Sequence, residues 1–151
     1  MKISFKNIKV LIALFVATAF INTASAQCSS VVKEALGKLT VYTQTGETNS
    51  ATIEKGNKVE MHLSFYKGVN YKLQFGADKA LGQYTFRILD ENKNELYKYD
   101  GTNGADYFTF FSNSSQELIV EMSAVDNTKK GCVAVAVGMQ MPKKANSIRN
   151  L

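Results

Sequence analysis

The feature that most constrains this chain is a period of two in Val59–Gly76, VEMHLSFYKGVNYKLQFG. Val59, Met61, Leu63 and Phe65 alternate with Glu60, His62 and Ser64; after Lys67-Gly68, Tyr71, Leu73 and Phe75 alternate with Asn70, Lys72 and Gln74. Successive side chains of a strand point to opposite faces, so alternation marks strands with one buried face, and a glycine between two such runs predicts a hairpin. Further short runs follow. Tyr84, Phe86 and Ile88 alternate with Thr85 and Arg87, Phe108 and Phe110 with Tyr107 and Phe111, and Leu118, Val120, Met122 and Ala124 with polar neighbours.

Turn signals separate these runs every 8–12 residues: Thr48-Asn49-Ser50, Lys55-Gly56-Asn57, Asp90–Asn94, Asp100–Gly104, Ser112–Gln116 and Asp126–Gly131. With them the sequence reads as strands at Thr40–Glu47 and Ala51–Glu54, the central pair, and then Glu95–Tyr99 and its neighbours. Val133–Val137 is continuously apolar, as expected of a strand buried on both faces or sealed under a helix. Ser29 and Ser30 can cap a helix starting at Val31, with Val31, Val32, Ala35, Leu36 and Leu39 on one side. So short a helix cannot stand alone and should lie over an open end or edge of the sheet. Eight or nine strands and one short helix predict an all-β fold, an antiparallel jelly-roll-like β-sandwich, with a closed barrel as the main alternative.

The N-terminus reads as an address and not as fold. Lys2, Lys6 and Lys9 precede the apolar run Val10–Ile21, and Ala24-Ser25-Ala26 follows. A basic start, a short apolar core and an A-x-A site describe a secretory signal peptide over residues 1–26. The apolar run falls short of the roughly 20 residues that span a bilayer. Gln27 precedes Cys28, where a lipoprotein signal carries a small residue. Residues 27–141 then form one domain and 142–151 a polar, aperiodic tail. The chain has 18 basic and 13 acidic residues. Removing the signal takes three lysines and no acid, so the net charge falls from +5 to +2. No basic stripe interleaved with aromatics remains, so nucleic acid is not an expected partner. Export and an even count predict a Cys28–Cys132 disulfide over two buried thiols.

The run Tyr71-x-Leu73-x-Phe75, Tyr84-x-Phe86-x-Ile88-x-Asp90, Leu96-Tyr97, Phe108-x-Phe110 and Leu118-x-Val120 resembles the bacterial pre-peptidase C-terminal domain over roughly residues 59–137. That resemblance implies a jelly-roll-like sandwich accompanying secreted peptidases. This chain ends its pattern on Gly131-Cys132-Val133-Ala134-Val135 instead of a Tyr-x-Leu strand. It is also similar to small exported proteins of Gram-negative bacteria with a Cys near the mature start and a late Gly-Cys-Val, a group with no assigned activity.

Chemistry is sparse. The single histidine, His62, points away from the face shared by Met61 and Leu63, as a solvated residue, a binding contact or a general base. One His and two cysteines give no zinc set. No G-x-S-x-G turn and no P-loop is present. Asp90, Asn92 and Asn94 begin like a calcium loop, but Glu95 stands where the sharp turn needs Gly and Gly101 where the bidentate Glu belongs. Neither a metal nor a cofactor is expected. Glu60 and Glu121 could pair as hydrolytic carboxylates, or be solvated. Tyr66, Tyr97, Tyr99 and Tyr107 are hard to bury together with the core aromatics, and amphipathic Tyr suits surfaces that meet proteins or sugars. The expected function is an exported, periplasmic or secreted, non-catalytic binding or accessory module for a protein or glycan, with an envelope-associated assembly protein as the alternative.

Overall fold

The computed structural model describes residues 28–142, apart from 55, 103, 127 and 128 and the side chain of 47. The expected signal peptide and almost all of the expected tail lie outside the described residues. One helix, α1 (Ser29–Gly37), precedes eight strands: β1 (Thr43–Ile53), β2 (Lys58–Phe65), β3 (Asn70–Ala77), β4 (Tyr84–Leu89), β5 (Glu95–Tyr99), β6 (Tyr107–Phe111), β7 (Gln116–Ala124) and β8 (Gly131–Gln140). They form two four-stranded antiparallel sheets, β1-β8-β3-β6 and β2-β7-β4-β5. The chain is thus an all-β, jelly-roll-like sandwich: β1 pairs with β8, β2 with β7, β3 with β6 and β4 with β5, as if one long ribbon were folded at β4–β5 and rolled up.

That topology corrects the expected central hairpin. β2 and β3 do not pair; they lie in different sheets, and residues 66–69 cross between them. Alternation sets which face of a strand is buried and leaves open which strand lies beside it. Here Phe65 and Tyr71 meet edge to face between the layers, with ring centroids 4.8 Å apart. Phe75 and Phe86 stack at 3.7 Å in the middle of the core. A second correction concerns β1. Thr48-Asn49-Ser50 is not a turn but part of one long strand, whose register against β8 slips between Gln44 and Thr48. Gly46, at φ 85°, gives that bulge its left-handed residue.

The helix also departs from expectation. It begins at Ser29, with Cys28 at the N-cap and no side-chain cap, and it covers the outer face of the first sheet, not an end or an edge. The alternation in β8 explains this. Val133, Val135 and Val137 join the main core, whereas Cys132, Ala134 and Ala136 pack against Cys28, Val31, Ala35 and Leu39 of the helical segment. Small outward residues let the helix approach closely. A Cβ on Gly138 would sit 2.7 Å from Tyr42 Cβ. Burying Val31 and Leu39 stabilises the contact by about 1.5–3 kcal/mol each. The Cys28–Cys132 disulfide, with Cα atoms 5.3 Å apart, fastens its start. Lys72 Nζ donates to Lys38 O at 2.7 Å and closes its end.

Candidate functional site

Antiparallel pairing brings the ends of β2, β6 and β8 and the starts of β1, β3 and β7 to one end of the sandwich. The connections 66–69 and 112–115 cross there side by side. Gly68 N donates to Ser112 O at 2.7 Å, Ser112 N to Val69 O at 3.0 Å, and Lys67 N to Ser115 Oγ at 3.2 Å. Gly68 sits at φ 84°, where only glycine is unstrained. Tyr66 N donates to the Tyr71 hydroxyl at 3.1 Å. The backbone carrying Tyr66 is therefore held on both sides, while the residue is 71% exposed.

Beside Tyr66 the sheets part. The bulge in β1 opens a cleft of about 190 Å³ between the β1 and β2 edges, lined by Thr45, Ser64, Tyr66, Tyr71, Val137 and Met139. Thr45 Oγ1 donates to Val137 O at 3.2 Å and holds the bulge against β8. Val41 and Met141, which flank the first β1–β8 pair, are also exposed. An exposed aromatic ring fixed beside a cleft marks a candidate interaction surface.

The other expected tyrosines lie elsewhere. Tyr97 and Tyr99 face inward from β5 and pack on the core, Tyr99 against Phe86 at 5.1 Å and Tyr97 against Phe108 at 5.2 Å. Tyr97 Oη donates to Ala105 O at 3.3 Å. Tyr107 stands on the outer face of β6 with Lys72 Nζ 4.8 Å above its ring. The four do not cluster.

A second concavity, of about 380 Å³, lies on the outer face of the second sheet, lined by Lys58, Thr85, Arg87, Lys98, Asp100, Glu121 and Ser123. At its floor Glu121 is only 8% exposed; it accepts from Arg87 Nη2 at 2.6 Å and from Lys58 Nζ at 3.2 Å. The Arg87 hydrogen bond holds its carboxyl below the usual carboxylate range against the opposing effect of burial. Glu60 stands opposite Glu121 across the strands but pairs with Lys93 at 3.7 Å. The two acids therefore sit in separate ion pairs, and Glu121 is not the solvated residue its outward position implies. Sequence spacing held a signal for this: Lys58, Arg87 and Lys98 all fall on outward positions of β2, β4 and β5.

His62 Nδ1 lies 2.7 Å from Glu117 Oε1, with both side chains well exposed. Among the described residues no hydroxyl is bonded to His62. The Asp90 loop closes on itself: Asp90 accepts from the N–H groups of Asn92 and Asn94 and from Asn94 Nδ2, at 2.8–2.9 Å. Those bonds hold the Asp90 carboxyl below its usual range. No group of three metal-binding side chains occurs among the described residues, nor is any helix there long and apolar enough to cross a membrane.

No protein-family model matches the chain, and no curated protein sequence matches it. Among solved structures, it is similar to the crystal structure of Aeromonas hydrophila PliG, a periplasmic lysozyme inhibitor of g-type lysozyme. The TM-score is 0.48 at 9% identity, over 62% of this chain and 85% of that one. It is also similar to the solution NMR structure of a de novo designed double-stranded beta-helix, at TM-score 0.33 and 14% identity, over 62% of this chain and 99% of that one. Neither likeness is close enough to say what this chain does.

Proposed function

We propose that this chain is an exported, non-catalytic binding module whose working surface is the Tyr66 end of the sandwich. The observation that carries it is an exposed aromatic ring on a doubly hydrogen-bonded connection, beside an apolar cleft. A prefixed backbone lowers the ordering cost of binding. The cleft, about 190 Å³, is below the roughly 300–1,000 Å³ of small-molecule pockets. It suits one apolar side chain of a protein partner, seated beside Tyr66. The Cys28–Cys132 bridge and the N-terminal signal pattern support an oxidising destination, the periplasm or the exterior. The pre-peptidase C-terminal resemblance supports the same reading through its strand pattern. A second reading, a glycan ligand, has the polar depression around Glu121 in its favour.

The test is to titrate the isotope-labelled chain with fractionated exported proteins and, separately, with soluble glycans. Amide shifts around Thr45, Tyr66 and Met139 with a protein fraction, lost in a normally melting Tyr66→Glu variant, are expected. Shifts confined to Thr85, Lys98 and Ser123 with a glycan would replace the first reading by the second. No shift with either would count against both.

A further inference from the structure

β6 is the last strand of its sheet among the described residues. Its pairing with β3 fixes which of its backbone groups are used. Phe75 N donates to Asp106 O and Ser112 N to Val69 O; by alternation Phe108 and Phe110 also bond toward β3. The N–H and C=O groups of Tyr107, Thr109 and Phe111 therefore point outward along the sheet edge. The same three residues put their side chains on the outer face of the sheet, where Tyr107 is 42% and Phe111 46% exposed.

Proteins blunt such edges with charge, proline or bulges. The other three edges show such devices. β1 has its Gln44–Thr48 slip, β2 carries Lys58, Glu60 and His62, and β5 carries Glu95 and Lys98 beside a slip at Ile88–Leu89. β6, Tyr-Phe-Thr-Phe-Phe, has no formal charge, proline or bulge.

We infer that the β6 edge pairs antiparallel with β6 of a second copy of this chain, centred on Thr109. In that register Tyr107 meets the second copy's Phe111, Phe108 meets Phe110 and Thr109 meets Thr109. All the outward N–H and C=O groups of residues 107, 109 and 111 are then bonded, and an aromatic ring meets an aromatic ring at every position but the centre. A two-fold pairing sets the central residue against its own copy, so a charge there would face a like charge. An uncharged, nearly palindromic strand meets that condition, which argues for a second copy over an unrelated strand. Five residues a side bury less than the roughly 1,200 Å² of a stable interface. The dimer is accordingly reversible and concentration-dependent.

Sedimentation of the exported chain tests this, in a series up to about 1 mM, the weak end of specific association. The expected result is a monomer–dimer equilibrium that Thr109→Lys and Thr109→Pro both abolish while melting normally, since the Thr109 N–H takes no part in the β3 ladder. Directly opposed residues of a bonded antiparallel pair have Cα atoms about 5.5 Å apart, within disulfide reach. Thr109→Cys should therefore form an intermolecular disulfide, and Ser64→Cys, on the β2 edge, should not. A chain monomeric at every concentration, whatever covers the edge, overturns the inference. So does a dimer that survives both Thr109 variants, or a Thr109→Cys chain that stays uncrosslinked under oxidising conditions.

Discussion

The outer faces of the two sheets are built from the same alternation and end in opposite states. On the first sheet the outward residues of β8 are Cys132, Ala134, Ala136 and Gly138, and α1 with the turn that follows it, Leu39 and Tyr42, seals them. On the second they include Lys58, Arg87, Lys98 and Glu121, and the face stays open to solvent. Hydrophobic periodicity says that a strand has an inside. The size and charge of the outward residues say what lies outside: a stripe of Ala and Gly predicts a covering element, and a mixture of Lys, Arg and Glu predicts water with a few ion pairs. Each face is secured differently, one by burial and a covalent bond, the other by charge-assisted hydrogen bonds.

Removing the bond on the sealed face should have the largest effect. The bridge joins residues 104 apart, so replacing Cys28 and Cys132 together by Ser should cost about 2–5 kcal/mol. The melting temperature should fall by on the order of 10 °C or more, at roughly 4 °C per kcal/mol. Hydrogen exchange should show α1 opening before the ladders. Next, Gly138→Ala should cost about 1–3 kcal/mol, because the added carbon meets Tyr42 and Leu39 in the turn after the helix. Lys98→Ala on the open face should stay within about 0.5 kcal/mol. Denaturant melts of the two single variants measure the contrast directly.

On the open face the sensitive position is the buried carboxylate. Arg87→Ala leaves Glu121 with Lys58 alone, and the loss should be about 1–3 kcal/mol at neutral pH. The sign with pH follows from the lowered folded value of Glu121. Its contribution is present above its ordinary value of 4.5 and fades as pH falls below that through the folded value. Melts between neutral and acid pH should therefore fall less steeply in Glu121→Gln. The smallest effect is expected of calcium. The Asp90 oxygens are already taken by the loop's own N–H groups, so millimolar calcium should leave the melting temperature unchanged within about 1 °C.

Much of the fold was legible in the residues, and the misreadings share a physical cause. Alternation located most strands, the bridge followed from two cysteines and export, and the apolar Val133–Val137 strand does lie under a helix. Pairing was not legible: Val59–Phe65 and Asn70–Gly76 read equally well as a hairpin or as an inter-sheet crossing, because rolling up is decided by contacts distant in sequence, such as Phe65 with Phe110. A bulge at Gly46 and a turn at Thr48–Ser50 use similar residues, so one long strand read as two. Of the candidate site, Tyr66 was one of four tyrosines that read as hard to bury together, and it is 71% exposed. Tyr97 and Tyr99 did not read as core, because the stacks that bury them come from β4 and β6. The cleft beside Tyr66 arises where two sheets part, which no local pattern records.

On the proposed function, partners meet the Tyr66 end and not the open charged face. A photo-crosslinking phenylalanine analogue placed at Tyr66, or separately at Lys98, in cells that export the chain tests it most directly. A discrete heterologous protein adduct is expected from position 66 and none from position 98. An adduct from position 98 alone, or the same adducts from both, would contradict it.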